Sequence, residues 1–372
     1  MTSKTPTLKP QDLLDWYDKH RRQMPWRAAA GQKPDPYHVW LSEVMLQQTT
    51  VATVKPYFDK FKRLFPTVHD LAAADDETVM AAWAGLGYYS RARNLLKCAR
   101  QIVAEYDGQV PADEEALLAL PGIGPYTAAA VAAIAFGLPT APVDGNIERV
   151  IARSFGLTTP LPKLKQEVRP LMVQLVARLP QGRAGDFAQA MMDLGSGICT
   201  PKRPNCGACP FAQTCRAHAE GTAETLPRRT PKKPKPERHG TIFWLENAQG
   251  AVLMMRRPDK GLLGGMMCLP SIGWDAENDT TLPQLLPDGW QAVGGEVVHV
   301  FTHFRLTLRV QRRRAPKGFR KPAGSGDGVS DGGDGVSSAG ADGNQYEWVM
   351  PHDFPNRALP NVMRKVVAHV LG

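Results

Sequence analysis

Four cysteines crowded into residues 199–215 constrain the fold of this chain more than any other feature. They are Cys199, Cys206, Cys209 and Cys215, spaced C-x6-C-x2-C-x5-C. In a reducing compartment, a clustered quartet indicates metal binding more than disulfides. Zinc sites normally use two short C-x2–4-C pairs separated by a longer loop, so the single short pair fits a four-thiolate iron–sulfur cluster better. We predict that all four are metal ligands, with structural zinc as the alternative.

The hydrophobic pattern changes at a Pro-rich basic segment, residues 221–240, which we predict to be an extended linker. Residues 1–220 carry helical patterns punctuated by Gly and Pro, which predicts an all-α region. Residues 241–372 contain short β-type runs and a closing helix, which predicts a smaller α+β domain. Gly, Ser and Asp dominate residues 322–345, so we expect that insert to be disordered.

The net charge of +9 and the pI near 9.3 favour a polyanionic partner, most simply nucleic acid. The N-terminus has no apolar stretch like that of a signal peptide. The longest apolar run, at 127–143, is interrupted by Gly137 and Pro139, which is typical of a buried helix rather than a membrane span. We therefore expect a cytoplasmic protein with no membrane partner.

The stretch "VWLSEVMLQQTT" carries a single charged residue, Glu43. At about 100° per residue on a helix, Glu43 falls on the margin of the apolar face, beside Trp40. Leu46 projects from the opposite side, among polar residues. Taken alone, Glu43 is either a solvated helix residue or an acid held ready for chemistry.

The stretch "LPGIGPYTAAA" places Gly122 and Gly124 between two helical segments. Glycines so spaced make a tight hairpin whose backbone can approach a ligand closely. The N–H groups that begin the second helix suit a phosphate, although a simple helix–helix turn is the alternative. About twenty residues later, Asp144 lies in a loop just before another helix, where Asp is also a common N-cap.

Six motifs occur in one order: "SEVMLQQT", "GLGYYSRARN", "LPGIGPYTA", "VDGN", "QAMMDLG" and the cysteine quartet. Together they resemble the helix-hairpin-helix DNA glycosylases with an iron–sulfur cluster, and specifically the MutY-type adenine DNA glycosylases. The resemblance covers nearly all of residues 10–218 and continues weakly beyond. It implies a six-helix barrel with a [4Fe-4S] cluster module, followed by a NUDIX-like recognition domain.

The resemblance also implies two carboxylates with different roles. Adenine leaves only when its ring is protonated and the sugar cation is stabilised, as in glycoside hydrolysis. Glu43 would be the acid, with a pKa raised towards neutrality by its apolar setting. Asp144 would stay ionised and stabilise or capture the sugar cation. Tyr126 and Asn146 resemble the supporting polar groups of that pocket.

Contacts with DNA or with the adenine base are implied for a further set of residues: Arg27, Leu46, Gln48, Tyr88, Arg91, Gly122, Gly124 and Gln189. Gln48, Tyr88 and Leu46 would enter the duplex and stabilise a flipped nucleotide. The alternative for Gln48 is a buried amide, that for Tyr88 is helix packing, and that for Leu46 is a contact with a neighbouring helix. Arg91 would contact phosphate, its alternative being a solvated helix face. Gln48 can serve only if its helix ends or bends near Gln47.

In the C-terminal domain, Phe301, Thr302 and His303 match a Phe-Ser-His loop by which the family recognises 8-oxoguanine. Threonine keeps the hydroxyl and adds a methyl group, so we expect a looser or shifted contact. A hydrolytic NUDIX enzyme needs a glutamate-rich helix to bind metal, and the sequence has no such run. We expect this domain to read a base and not to hydrolyse a nucleotide.

The expected activity is removal of adenine opposite 8-oxoguanine or guanine in duplex DNA, by a monomer associated with a bacterial nucleoid. One alternative is a bifunctional lyase of the endonuclease III type. Tyr126 stands where those relatives carry the lysine that forms a Schiff base, and Glu148 stands where some adenine glycosylases carry a lysine. The absence of a lysine at both positions argues against lyase activity. The other alternative is a non-catalytic iron–sulfur DNA-binding protein, which would need neither Glu43 nor Asp144.

Overall fold

The computed structural model describes residues 8–29, 31–230, 234–258, 261–274, 286–322 and 345–372. The chain forms two compact units, residues 1–73 with 94–232 and residues 74–93 with 233–372. Over the described ranges, no helix is both long and apolar enough to cross a membrane. The insert predicted at 322–345 falls almost entirely outside the described residues.

The described part of residues 1–220 is mainly helical, as its pattern predicts. The α-helices there are α1 Pro10–His20, α2 Pro36–Leu46, α3 Val51–Leu64, α4 Val68–Ala73, α5 Asp76–Trp83, α6 Ser90–Tyr106, α7 Glu114–Ala119, α8 Pro125–Phe136, α9 Gly145–Phe155, α10 Lys165–Val176, α11 Ala184–Gly197 and α12 Arg216–Ala219. Short 3-10 turns lie at Cys206–Ala208, Ala212–Thr214 and Ala223–Thr225.

Local sequence explains where several of these helices begin. The Asp35 carboxylate accepts hydrogen bonds from the N–H groups of Tyr37 and His38, and Pro36 occupies the first turn of α2. The Asp144 carboxylate caps α9 in the same way. Each cap satisfies N–H groups that the helix itself leaves without partners.

The core of the first unit lies among α1, α9, α10 and α11. Leu13, Ile151, Met172 and Phe187 are fully buried there. Helix α8, the Ala-rich apolar run, packs against α2, α7 and α11. Because alanine side chains are short, the neighbouring backbones approach closely: a Cβ on Gly185 of α11 would lie 2.6 Å from the Ala133 carbonyl oxygen of α8.

The second unit contains a mixed sheet of β1 Glu237–Glu246, β2 Val252–Arg256, β3 Met267–Cys268, β4 Ser271–Ile272, β5 Gln291–Val300, β6 Arg305–Arg314 and β7 Gln345–Val349. The strand order is β3-β2-β1-β6-β5, with β4 pairing with β1 and β7 with β2. Strands β1 and β6 run parallel, whereas β5 and β6 form an antiparallel pair with an irregularity between Val293 and Val297. Helix α13, Asn361–Leu371, packs on β5.

The segment predicted as a linker, residues 221–240, is structured at both ends. Its first part contains a 3-10 turn and pairs at Arg229 with Leu161, while Glu237 already begins β1. Backbone hydrogen bonds to Leu161 hold the first part, because the N–H group of Leu161 donates to the Arg228 carbonyl at 3.0 Å.

Candidate active site

Side chains from distant parts of the chain converge on one cavity in the first unit, with a volume of about 1130 Å³. Its lining contains all of the residues of this unit that the family resemblance assigns to chemistry, to the adenine pocket or to contacts with DNA. They are Arg27, Glu43, Leu46, Gln48, Gly122, Gly124, Tyr126, Asp144, Asn146 and Gln189. The cavity exceeds the roughly 300–1,000 Å³ typical of small-molecule clefts, so it has room for more than a base.

Glu43 is the buried acid of this cavity. The residue is 5% exposed, and the Tyr126 hydroxyl donates a hydrogen bond to its Oε2 atom at 2.7 Å. Burial raises the pKa of Glu43 to about 7, with a smaller increase from the charge of Asp144. The Tyr126 hydrogen bond and the Arg27 charge act in the opposite direction. The carboxyl group can therefore hold a proton near neutral pH.

Asp144 is both the N-cap of α9 and a wall of the same cavity. Its Oδ1 accepts from the N–H groups of Asn146 and Ile147 at 3.0 and 2.7 Å. Its Oδ2 accepts from the Asn146 amide nitrogen at 2.8 Å. The capping alternative and the functional assignment are thus compatible, because the cap leaves the carboxylate facing the cavity in one fixed orientation.

Arg149, one helical turn beyond Asp144, secures this arrangement. Its guanidinium donates to Asn146 Oδ1 at 2.9 Å, to the Gly195 carbonyl at 2.6 Å and to the Cys199 carbonyl at 2.7 Å. The residue is 7% exposed. Arg149 is not among the residues predicted from the sequence, although an arginine on the apolar side of a helix signals a buried guanidinium with specific partners.

Asp193 is a second residue missing from the sequence-based predictions. It is 2% exposed and accepts a bidentate pair of hydrogen bonds from Arg27, at 2.7 and 2.9 Å. Arg22 donates to the same carboxylate at 2.6 Å. These contacts fix the Arg27 guanidinium at the cavity wall. The signal in the sequence was an acid inside the apolar stretch "QAMMDLG", since a buried carboxylate must be paired.

Helix α2 ends at Leu46, which satisfies the condition that the Gln48 assignment required. Gln48 has a φ of +57° and an exposed side chain, because the chain turns sharply after Gln47. The Gln47 amide donates to the Thr127 hydroxyl at 3.1 Å. The turn is thereby attached to α8, and Leu46 and Gln48 both line the cavity.

The two hairpin glycines differ in their environment. Gly122 has a φ of +77°, and a Cβ there would lie 2.6 Å from the Asn94 Cβ, so only glycine fits. Gly124 caps α8 with an ordinary φ of −98°, and a Cβ there would meet nothing within 4 Å. The open space at Gly124 leaves the backbone accessible to a ligand.

In the second unit, Tyr88 lies in a strained loop that Arg91 supports. Tyr88 has a φ of +49° and is 42% exposed. The buried Arg91 guanidinium donates to the carbonyls of Leu86 and Gly87, both at 3.2 Å, and lies 5.5 Å from the Tyr88 ring. This differs from the expected phosphate contact, because the residue is only 8% exposed and its guanidinium faces the loop.

Phe301, Thr302 and His303 form the turn between β5 and β6. The Phe301 N–H donates to the Phe304 carbonyl at 2.9 Å, and the two rings stack with centroids 4.7 Å apart. Thr302 and His303 are exposed at the tip. The Thr302 hydroxyl oxygen lies 2.8 Å from that of Tyr88, so the turn and the Tyr88 loop meet within this unit.

The four cysteines of the quartet line one small cavity together with Arg153. Arg153 is 1% exposed and donates to Cys199 Sγ at 3.3 Å and to the Thr200 carbonyl at 2.7 Å. A guanidinium directed at sulfur stabilises a thiolate, so the donor set fits a thiolate-bound cluster. In the described parts of the chain, no three His, Cys, Asp or Glu side chains are arranged to hold a single metal ion.

Two family models match the chain. Residues 41–177 match the HhH-GPD superfamily of base excision DNA repair proteins, and residues 241–369 match a NUDIX domain. The first match contains Glu43, the glycine hairpin and Asp144. The second covers most of the β-rich unit.

Similar proteins extend the match to both units. The adenine DNA glycosylase of Homo sapiens is 38% identical over 359 residues, which covers 80% of this chain and 65% of the human protein. That of Mus musculus is 36% identical over 417 residues, covering 95% and 76% respectively. Among solved structures, a thermostable thymine-DNA glycosylase is 31% identical with a TM-score of 0.50, covering 57% of this chain and 95% of that one.

Proposed function

The chain belongs to the adenine DNA glycosylase family, and from this membership we propose that it removes adenine paired with 8-oxoguanine or guanine in duplex DNA. The reaction is hydrolysis of the N-glycosidic bond. The observation that carries the proposal is the buried Glu43 carboxyl group, whose pKa is raised to about 7 in a cavity shared with Asp144. Two carboxyl groups with such different surroundings suit an acid and an anionic stabiliser.

In the first step, Glu43 gives its proton to a ring nitrogen of the flipped adenine. Protonation lets the base accept the electron pair of the glycosidic bond as it leaves. A donor with a pKa near the working pH is effective because it is substantially protonated and still gives up the proton readily. The Tyr126 hydroxyl, 2.7 Å away, can stabilise the Glu43 carboxylate that remains.

In the second step, the Asp144 carboxylate faces the positive charge that develops on the sugar. It either stabilises the oxocarbenium-like cation until water adds, or captures it covalently before water enters. The hydrogen bonds from Asn146 and Ile147 orient the carboxylate in advance. Such preorganised electrostatic stabilisation is commonly the largest contribution to catalysis.

The other residues that the family resemblance assigns bind the substrate. Arg27 and Gln189 contact the adenine, and the Gly122–Gly124 hairpin approaches a backbone phosphate. Gln48, Leu46 and Tyr88 fill the space left in the duplex when the nucleotide flips, which costs a few kcal/mol. Arg91 acts through Tyr88 by supporting its loop.

The turn formed by Phe301, Thr302 and His303 reads the 8-oxoguanine base. The exposed hydroxyl of Thr302 and the imidazole of His303 can donate or accept hydrogen bonds, while Phe301 is held by stacking on Phe304. The Tyr88 hydroxyl shares a hydrogen bond with Thr302. Base reading and duplex insertion are therefore adjacent functions in this unit.

Cys199, Cys206, Cys209 and Cys215 would hold a [4Fe-4S] cluster. When bound, the cluster supplies a cross-link that fixes the loop between Cys199 and Cys215. The loop carries Lys202 and Arg203, both exposed, which can attract the DNA backbone. We propose that the protein acts as a monomer on double-stranded DNA.

Single-turnover adenine release from an A:8-oxoguanine duplex tests the proposal. We expect Glu43→Gln and Asp144→Asn each to lower the rate by at least a hundredfold. Glu167→Gln is the matched control, because Glu167 is exposed on α10 and outside the cavity. A normal rate in either cavity variant, or no release by the wild type, would refute the assignment.

A further inference from the structure

The segment after the cysteine quartet folds back onto the helical unit and brings Arg229 to the catalytic cavity. Leu226 is buried, and its carbonyl accepts a hydrogen bond from Arg153 Nε at 2.9 Å. The Thr230 hydroxyl donates to the Leu161 carbonyl at 3.0 Å, and the backbones of Arg229 and Leu161 form a single parallel β-bridge. The backbone is thus held on both sides of Arg229, whose side chain is exposed and lines the cavity.

Some of the cations that line this cavity are held in ion pairs, and others are not. Arg22 and Arg27 both form ion pairs with Asp193, at 2.5 and 2.7 Å. Lys165, the first residue of α10, and Arg229 also line the cavity. Among the residues that the structure describes, neither of these two forms an ion pair within 4.0 Å, so neither charge is neutralised by direct contact with a carboxylate.

Carboxyl groups also line the cavity near these two cations. Asp144, the N-cap of α9, and Glu148, four residues later, both line it, and Glu148 is 6% exposed. Burial raises the pKa of Glu148, while the charges of Lys165 and Arg229 lower it, so these groups are close enough to interact. A nucleotide that reaches Asp144 brings its flanking phosphates towards these carboxylates, and Lys165 and Arg229 can offset the repulsion.

We propose that Lys165 and Arg229 bind the backbone phosphates that flank the target nucleotide. The ligand class is a DNA phosphodiester, for which a guanidinium and an ammonium group are both suitable partners. The inference rests on the proposed function, because it places the DNA strand at the Asp144 side of the cavity. It makes the first half of the predicted linker a part of the DNA-binding surface.

Equilibrium binding as a function of salt tests this assignment. The probe is a duplex with a tetrahydrofuran abasic analogue opposite 8-oxoguanine, which needs no catalysis. Losing one phosphate contact should reduce the magnitude of the slope of log K against log salt by about 0.9. We expect this for Arg229→Gln and for Lys165→Gln, and the retained charge in Arg229→Lys should preserve most of the slope.

Arg228→Gln and Lys163→Gln are the matched controls. Each removes the same charge from an exposed neighbour that does not line the cavity. We expect their slopes to stay close to that of the wild type. Equal slope changes in the cavity variants and in the controls would overturn the proposal, since the effect would then come from net charge alone.

A methylphosphonate at either linkage flanking the analogue provides the direct test. It removes one phosphate charge, so it should weaken wild-type binding on the order of tenfold at one of the two linkages. In Arg229→Gln or Lys165→Gln the same replacement should then cost much less. If the methylphosphonate weakens binding by the same factor in the variants as in the wild type, the assignment is overturned, even if the wild type releases adenine normally. Failure to release adenine would instead refute the proposed function, and thermal melts identify variants that fold poorly.

Discussion

The hydroxyl oxygens of Tyr88 and Thr302 lie 2.8 Å apart, although 214 positions separate the two residues in the chain. The Tyr88 hydroxyl can orient the Thr302 hydroxyl towards a base. We expect Tyr88→Phe to lower the preference for 8-oxoguanine over guanine about three- to tenfold, the value of one neutral hydrogen bond. The measurement is the ratio of single-turnover adenine release rates on the two duplexes.

Thr302→Ala should lower the same ratio, and Thr302→Ser should preserve it, because serine keeps the hydroxyl. An unchanged ratio in both Tyr88→Phe and Thr302→Ala would mean that this pair takes no part in base reading.

The protonation of Glu43 predicts the pH dependence of adenine release. Because burial raises the pKa of Glu43 to about 7, the group carries its proton below that pH and loses it above. We expect the rate to fall about tenfold per pH unit well above pH 7. The Tyr126 hydrogen bond lowers the pKa of Glu43. The rate of adenine release by Tyr126→Phe should therefore begin to fall at a higher pH than that of the wild type. A fall that begins at the same pH would contradict this account.

The same pKa shift predicts a cost in stability. Glu43 has a higher pKa in the folded protein than its ordinary value of 4.5, so the folded state binds the proton more tightly. The contribution of this group to the free energy of unfolding is fully present below pH 4.5, and it is lost as the pH rises through about 7. We expect Glu43→Gln to be more stable than the wild type at pH 8, by on the order of 3 kcal/mol. Urea unfolding at pH 4.5 and pH 8 measures the difference, which should nearly vanish at the lower pH.

Removal of the Asp193 charge should be costly. Its carboxylate side chain is 1% exposed and is paired with Arg27, which is 11% exposed. Asp193→Asn leaves a largely buried guanidinium without its counter-charge, so we expect a loss of about 3 kcal/mol in the free energy of unfolding. We also expect a roughly hundredfold slower adenine release, because Arg27 is no longer held in place.

Asp186→Asn is the matched control for this prediction. Asp186 pairs with Arg183 at 2.7 Å, but the two side chains are 36% and 29% exposed. An exposed pair of this kind contributes about 1 kcal/mol or less. Equal losses in the two variants would show that the depth of the Asp193 pair has no special importance.

The hairpin glycines offer a test that separates folding from binding. Gly122→Ala combines a φ of +77° with a contact of 2.6 Å to the Asn94 side chain, so we expect a loss of about 2 kcal/mol in unfolding free energy. Gly124→Ala has an ordinary φ and open space, so its stability should change by less than about 0.5 kcal/mol. Its DNA affinity should fall nonetheless, because the methyl group occupies the space where a phosphate would approach. Unchanged DNA affinity would refute a phosphate contact at this turn.

Local sequence determined the elements of this fold and the identity of many candidate groups. The Asp144 cap and the short φ-positive turn at Gly122 depend on residues within a few positions of each other, so their patterns can be read directly. The change from helical to strand periodicity is likewise a local pattern, and it indicated two regions. The cysteine quartet could likewise be identified as a set from its spacing in the sequence.

Tertiary structure alone decided which of these groups interact. The contact of Glu43 with Tyr126, the pairing of Arg27 with Asp193 and the return of Arg229 to Leu161 each join residues more than sixty positions apart. Desolvation and ion pairing depend on what surrounds a group in space, which periodicity along one helix does not encode. For this reason, the sequence showed where an acid could be, whereas only the packing around Glu43 made its proton available near neutral pH.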